Sequence, residues 1–333
     1  NINCFMKVNF TSFLVTEAMI YAAILFALVN SAGRIADGSM TIAQALIVLM
    51  LSYSYFSAAK ELMNASHSAL TAIAAAGKVE EILDTDTSRP YDPALPADPK
   101  QFEGIRMDHV SYGYEGRSRA LQDISLTVPK GKTVAMVGLS GCGKSTTASL
   151  LMRFCDPLSG NIYIEGKDYC SMKPEELRKH IAMVPQQVNL FSGTIRENLL
   201  LADPGAKDAA LLEALEEAGL GAFIRSQSKG LDSDVGNAGS SLSGGQRQKM
   251  GIARALLSKA EYMIFDEATS SVDPQSEKEI WETIGHLAES RTLIIISHRM
   301  SSVQNADCIY VLRDGRVAQH GTHEALMAEG GLY

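Results

Sequence analysis

Residues 138–145 read Gly-Leu-Ser-Gly-Cys-Gly-Lys-Ser and have the composition of a loop that binds phosphate groups. Glycines let the backbone approach an anion closely, and the N-terminus of a following helix favours negative charge. In this pattern Lys144 would reach the β- and γ-phosphates of a nucleotide, and the hydroxyl of Ser145 would bind Mg²⁺. A glycine-rich turn with a chance lysine is the alternative, but the apolar strand before the loop and the helix-forming segment after it favour the phosphate site.

Two carboxylates and a histidine follow other apolar segments of the chain. Residues 262–265 are apolar and precede Asp266 and Glu267, and residues 292–297 precede His298. Buried parallel strands present such residues at the carboxyl edge of their sheet, where α/β proteins bind ligands. Asp266 is suited to Mg²⁺ there, and Glu267 to activating a water molecule against the γ-phosphate. His298 would contact the γ-phosphate, although a lone histidine is more often structural.

The elements that must position these groups are buried strands and the helix after the phosphate loop. Strands are predicted at residues 133–137, 262–265 and 292–297, each a run of mostly apolar residues. Such runs are typical of parallel strands that are covered on both faces of a sheet. The pattern therefore predicts an α/β domain.

The first 59 residues are of a different kind, because they contain only four charged side chains. Residues 13–29 and 38–59 are each long and apolar enough to cross a membrane. A buried helical hairpin in a large soluble protein is the alternative. Glu17 lies near the start of the first span, which favours a place at the membrane surface or a charged partner over a transport role.

Prolines mark the boundary between the two parts of the chain. The helical pattern of the second span continues to residue 83, and the next segment contains Pro90, Pro93, Pro96 and Pro99. Proline-rich segments are semi-extended spacers. We therefore predict a membrane part at residues 1–83, a linker at 84–101 and a soluble domain at 102–333.

The charge of the chain argues against a nucleic-acid-binding protein, and its cysteines argue against a protein held together by disulfides or by a cysteine-bound metal. The chain has 30 basic and 38 acidic residues, a net charge of −8, and most of the acidic excess lies in the soluble part. This argues against binding along a nucleic-acid backbone, so no nucleic-acid partner is expected. The five cysteines have no paired or metal-binding spacing, which favours reduced thiols in a cytosolic compartment.

The segment Leu-Ser-Gly-Gly-Gln at residues 242–246 is the most specific string in the chain. A glycine-rich turn that opens a helix can form a second anion site. The segment resembles the signature motif of ATP-binding cassette (ABC) proteins, and residues 104–333 resemble one ABC ATPase domain. The resemblance implies an α/β fold with a P-loop parallel-sheet core, an antiparallel β-subdomain and a helical signature subdomain, preceded by two transmembrane helices.

The resemblance also implies roles for individual residues. Glu267 would be the general base and His298 the switch histidine, while Tyr114 would stack on adenine and Gln186 would couple Mg²⁺ to the membrane part. By sequence alone Tyr114 could equally be a strand-core residue, and Gln186 an exposed loop residue. The Mg²⁺ ligands would be Ser145, Gln186 and Asp266. The other nucleotide contacts lie in the Walker A loop, the signature and the D-loop at residues 270–273: Gly138, Ser140, Gly141, Cys142, Gly143, Lys144, Ser145, Thr146, Ser243, Gly244, Gly245, Gln246 and Asp273.

Together these features resemble an exporter subunit that binds ATP and Mg²⁺, hydrolyses ATP and moves a substrate outward. In the family, the signature of one subunit covers ATP bound by the other. The expected partners are therefore a second ABC subunit, identical or different, membrane lipid and an exported substrate. The resemblance places the protein in the plasma or inner membrane with the ATPase domain in the cytoplasm. It also predicts that the chain is the C-terminal fragment of a longer subunit.

One departure from the family pattern precedes the signature. Asn237 stands where exporters usually have an acidic residue that helps communication between domains. We expect this change to affect coupling and not catalysis.

Two other functions fit parts of the pattern. Soluble ABC ATPases that act on DNA carry a long coiled coil between the Walker A loop and the signature, whereas only 99 residues separate Lys144 from Ser243. A regulatory module would hold ATP without turnover, and the presence of both Glu267 and His298 argues against it. An exporter ATPase is therefore the preferred interpretation.

Overall fold

The computed structural model describes residues 2–84, 91–114, 119–269 and 272–333. The chain divides into two compact units, of which the first ends at Ser88 and the second begins at Arg89.

The first unit consists of two long helices, α1 (Ile2–Ala36) and α2 (Ile42–Asp84). Residues Glu17–Ala36 and α2 are long and apolar enough to cross a membrane, judged by length and composition. Lys60 of α2 forms an ion pair with Glu17 of α1. Glu17 therefore has a charged partner, which is one of the two arrangements expected for an acid at this position.

The second unit contains two sheets. Their strands are β1 (Gly104–Gly113), β2 (Arg119–Pro129), β3 (Thr133–Val137), β4 (Ser159–Ile164), β5 (Lys167–Asp168), β6 (Ile181–Val184), β7 (Tyr262–Asp266), β8 (Thr292–Ile296), β9 (Cys308–Arg313) and β10 (Arg316–Gly321). The larger sheet has the order β10-β9-β3-β8-β7-β6, and the smaller has the order β2-β1-β4-β5.

Most of the larger sheet is parallel. Strands β9, β3, β8, β7 and β6 run in the same direction, and only β10 is antiparallel to its neighbour β9. Every residue of β3, β7 and β8 is buried, which explains the apolar runs in the sequence. The smaller sheet is antiparallel throughout.

The helices of the second unit are α3 (Lys144–Leu151), α4 (Pro174–His180), α5 (Ile195–Leu200), α6 (Asp208–Glu217), α7 (Gly221–Ser226), α8 (Gly244–Leu257), α9 (Pro274–Ala288) and α10 (His323–Glu329). Helices α5 to α8 follow one another between β6 and β7, and α8 begins inside the predicted signature. The α/β fold with a parallel core, an antiparallel sheet and a helical part is therefore confirmed.

The two faces of β3 pack against different cores. Ala135 and Val137 belong to a core shared with helices α5 to α9, and Val134 and Met136 belong to one shared with the antiparallel sheet. This division follows from the alternation of side chains along a strand. The central strands are thus held from both sides, which makes their carboxyl ends a rigid support for loops.

The end of the predicted linker is part of the second unit. The backbone N–H of Asp98 donates to the carbonyl of Gly166 over 2.8 Å, and its buried carboxylate forms an ion pair with the buried guanidinium of Arg106 in β1. Residues 85–90 of the linker lie outside the described residues.

Candidate functional site

Four neighbouring strands of the parallel sheet each precede a predicted site residue. The phosphate loop follows β3, and His298 lies two residues after the end of β8. Glu267 comes directly after β7, and Gln186 lies two residues after β6. Because the carboxyl ends of parallel strands share one edge of the sheet, residues far apart in the sequence meet there.

The phosphate loop has a shape that only glycine permits at two positions. Gly138 has φ +150°, and a Cβ at this residue would lie 2.3 Å from the carbonyl oxygen of Leu312. Gly143 is the N-cap of α3 with φ +110°, and its Cβ would lie 2.4 Å from the Leu121 side chain. The loop therefore packs closely against the backbone of Leu312 and the side chain of Leu121. It also leads directly into a helix N-terminus, as an anion site requires.

Lys144 is buried in the curve of this loop. Its Nζ donates to the carbonyls of Gly138 and Leu139 over 2.8 and 3.1 Å, and the sulfur of Cys142 lies 3.8 Å away. The ammonium group is thus held by two carbonyls of the loop whose N–H groups would surround a phosphate.

Ser145 and Asp266 form the oxygen-rich side of the site. The Ser145 hydroxyl donates to Asp266 Oδ1 over 3.5 Å. Burial raises the pKa of the Asp266 carboxyl, and the adjacent charge of Glu267 adds to this effect. A buried carboxylate beside a hydroxyl fits a hard cation such as Mg²⁺, which takes oxygen ligands.

The described residues contain no group of three or more His, Cys, Asp or Glu side chains placed to hold a metal.

Glu267 lies at the centre of the remaining polar groups. Gln186 Nε2 donates to its Oε2 over 3.3 Å, and His298 Nδ1 lies 3.4 Å from its Oε1. Its backbone has φ +46°, a conformation that residues other than glycine rarely adopt. Neighbouring structure must hold such a conformation in place. Here the N–H of Glu267 donates to the Ile296 carbonyl over 2.9 Å.

The signature residues cap the N-terminus of α8. The N–H of Gln246 donates to the Ser243 hydroxyl over 3.2 Å, and the N–H of Ser243 donates to the Gln246 amide oxygen over 2.9 Å. This reciprocal capping box fixes the start of the helix. Gly244 lines a cavity of about 310 Å³ together with Gln186, whereas Gly138 and Ser140 line a different cavity of about 590 Å³ with Glu267 and His298.

Comparison with known proteins identifies the domain that carries this site. Residues 121–270 match the sequence profile of a family described as ABC transporter. The second unit contains an ABC transporter ATPase domain. The predicted resemblance is thereby confirmed for the ABC domain.

Relatives extend the similarity over nearly the whole chain. The ATP-dependent lipid A-core flippase of Chromobacterium violaceum is 38% identical over 320 residues, which cover 96% of this chain and 54% of the flippase. The protein of the same name from Neisseria meningitidis serogroup B is 38% identical over 297 residues, 89% of this chain and 48% of its own length. The chain thus spans about half the length of these curated relatives.

A solved structure shows the same arrangement of elements. It is described as a bacterial Atm1-family ABC exporter with ATP bound, and it is 32% identical to this chain with a TM-score of 0.71. The match covers 98% of this chain and 58% of that one. The chain is therefore homologous to ABC exporters both in sequence and in fold.

Tyr114 and Asp273, two of the predicted nucleotide contacts, are both exposed at the surface of the ABC domain. Tyr114 is 45% exposed, packs edge-on against Tyr112 at 5.1 Å, and places its hydroxyl 3.5 Å from that of Thr146 beside the phosphate loop. Asp273 is exposed and caps α9 by accepting from the N–H of Ser276 over 3.0 Å. Ser270 and Ser271 of the predicted D-loop lie outside the described residues.

Sequence reasoning missed three side chains that border the site of the ABC domain. Met300 and Tyr333 line the cavity of about 590 Å³ beside His298. Glu277, on the first turn of α9, contacts the segments that follow Glu267 and His298. No local pattern marks these residues, because each reaches the site only through the packing of the ABC domain.

Proposed function

We propose that this chain is the ATP-binding and ATP-hydrolysing part of an ABC exporter subunit, which couples ATP use to outward transport of a substrate. The observation that carries the proposal is the meeting of Lys144, Glu267, His298 and Gln186 around four neighbouring strand ends. Homology to exporters over nearly the whole chain supports transport over the soluble and regulatory alternatives.

Nucleotide binding would rest on the phosphate loop and on Tyr114. The loop N–H groups, at the N-terminus of α3, and the ammonium group of Lys144 would hold the phosphates. Tyr114 would stack on the adenine, for which its ring is sufficiently exposed. Ser140, Gly141 and Cys142 would contribute through the backbone of the loop.

Hydrolysis would depend on Glu267 as the general base. Its carboxylate would accept the proton of a water molecule aligned with the γ-phosphate, while His298 would contact the phosphate oxygens. Ser145, Asp266 and Gln186 would hold Mg²⁺, which neutralises developing charge on the phosphates when it is bound.

A complete site would need a second ABC subunit. Ser243, Gly244, Gly245 and Gln246 at the start of α8 would cover ATP held by the partner, with Asp273 nearby. This arrangement is supported by the described residues, among which Gly244 of the signature and the phosphate loop line different cavities.

The two apolar helices would lie in the plasma or inner membrane with the ABC domain in the cytoplasm. Their length and exposed apolar side chains support this placement. Lipid A-core is the first substrate to test, since two relatives are named as its flippases.

The proposal is tested by ATP hydrolysis in the full-length subunit reconstituted in lipid vesicles. We expect Glu267→Gln to keep ATP binding, measured with a fluorescent analogue, and to lower the rate of phosphate release by about 100-fold or more, the usual effect of losing a general base.

Glu261→Gln is the matched control, because Glu261 is an exposed acid at the opposite end of β7. Its turnover should equal that of the wild type. A Glu267→Gln protein with wild-type turnover would contradict the role of general base, and a wild-type protein without turnover would contradict the ATPase function.

A further inference from the structure

The first turn of α9 contacts three segments that belong to different motifs of the ATP site. Gly245 of the signature helix lies so close that a Cβ there would be 2.5 Å from Ser276. Glu277, the next residue, contacts Thr269 after β7 and Arg299 after β8. One helical turn therefore connects the signature to the segments that follow Glu267 and His298.

The carboxylate of Glu277 makes both of these contacts with the same oxygen. Its Oε1 accepts from the Thr269 hydroxyl over 3.3 Å and pairs with Nη1 of Arg299. Thr269 is buried, and the side chains of Glu277 and Arg299 are 21% and 40% exposed. The pair is therefore partly shielded from solvent on the side that faces Thr269.

The two partners of Glu277 are covalently close to the reacting groups. Thr269 is two residues after Glu267, whose backbone has the strained φ of +46°, and Ala268 between them is buried. Arg299 is adjacent to His298, and its N–H donates to the Ser297 hydroxyl over 3.0 Å. A shift of Glu277 would thus move the Glu267 and His298 segments together.

The same turn is anchored to the D-loop. Asp273 caps α9 through the N–H of Ser276, and the N–H of Glu277 donates to the carbonyl of Asp273 over 2.9 Å. Movement of the signature helix or the D-loop therefore acts directly on the backbone that carries Glu277.

We propose that Glu277 is a positioning residue. It keeps Glu267 and His298 in fixed positions relative to each other, and it transmits to them the position of the signature and D-loop of the same chain. The inference rests on the proposed ATPase function. Glu277 acts through Thr269 and Arg299 and does not touch the nucleotide.

This role differs from that of an ordinary stabilising ion pair in what it predicts. Partly exposed ion pairs contribute little to folding stability, so removal of Glu277 should leave the thermal unfolding temperature almost unchanged. Small displacements of catalytic groups lower turnover strongly, so the rate of hydrolysis should respond although ATP binding does not.

The experiment measures ATP turnover, the KM for ATP and the unfolding temperature of the full-length subunit in lipid vesicles. We expect Glu277→Ala to lower kcat about tenfold, with a KM within about twofold of the wild type, as for a lost orienting contact. Glu277→Gln keeps the oxygen that Thr269 and Arg299 reach, so it should restore most of the activity. Glu282→Ala is the control, since Glu282 is an exposed acid on the same helix.

A second series keeps the test decisive if Glu277→Ala lowers the unfolding temperature. Arg299→Ala and the Glu277→Ala/Arg299→Ala double variant should have similar kcat values, because residues acting as one unit are not additive. Unchanged kcat in Glu277→Ala, or additive losses in the double variant, would overturn the positioning role while wild-type turnover still supported the ATPase function. A wild-type protein without turnover would instead contradict the ATPase function itself.

Discussion

Asp266 is a buried acid, and the negative charge of its ionised carboxylate is unfavourable inside the protein unless a cation balances it. Burial raises the pKa of its carboxyl, with a further contribution from the charge of Glu267. The folded protein therefore binds this proton more tightly than the unfolded chain does. The resulting stabilisation is complete below the ordinary pKa of about 3.9 and is lost as the pH rises through the raised value.

We expect Asp266→Asn to stabilise the nucleotide-free protein at pH 8 in EDTA, because asparagine carries no charge that must be buried. The unfolding temperature should rise by about 2–4 °C for each 1 kcal/mol recovered in a domain of this size. The difference from the wild type should shrink as the pH falls below about 4, where the aspartate becomes protonated in the unfolded state as well. An unfolding temperature equal to or below that of the wild type at pH 8 would contradict this account of Asp266.

At the scale of elements, the segment before β1 contains a buried acid, Asp98, whose pKa is shifted in the opposite direction to that of Asp266. Arg106 holds the pKa of the Asp98 carboxyl below its usual range, and the backbone N–H groups of Lys100 and Phe102 act in the same direction. Both members of this ion pair are almost fully buried. Removal of Asp98 leaves the buried Arg106 guanidinium with the partly exposed Asp108, 2.9 Å away, as its remaining acidic partner, and loss of a buried partner is strongly destabilising.

Asp98→Asn should therefore lower the free energy of unfolding by about 3 kcal/mol at pH 7. Because the pKa is lowered, this stabilisation is complete above about pH 4 and is lost as the pH falls through the lowered value. Thermal unfolding of the full-length protein at several pH values measures the effect. Asp92→Asn, at an exposed residue of the same segment, should change little; an equal loss in both variants would argue against the role of the buried pair.

The elements also show how far sequence reasoning could go. The phosphate loop, Glu267 and His298 were predictable because each directly follows an apolar strand, and that pattern is local. The proximity of Gln186 to Glu267 was not, since 81 residues separate them and only the pairing of β6 with β7 brings them together. Glu277 gave no signal, because a single acid on an amphipathic helix is ordinarily a solvated residue.

At the scale of the whole molecule, the proposed completion of each ATP site by a second subunit predicts how activity depends on protein concentration. The signature and the phosphate loop line separate cavities of the ABC domain. If a second subunit completes each site, the fraction of active protein depends on association.

We expect the specific ATPase activity of detergent-solubilised protein to rise with protein concentration and to level off once dimers predominate, because a composite site forms only in the dimer. Turnover should be measured together with the oligomeric state across the same dilution series. Constant specific activity in a protein shown to be monomeric at every concentration would contradict the composite site.

The sequence by itself determined the chemical groups of the site, the buried strands that precede them and the two apolar helices. These features depend on residue type and short-range periodicity, which local steric and solvation effects control. The tertiary structure alone decided that β8 lies between β3 and β7, that Gln186 reaches Glu267, and that one turn of α9 contacts three motifs. Those relations depend on which strands and helices pack together over long sequence separations, and no local pattern encodes that choice.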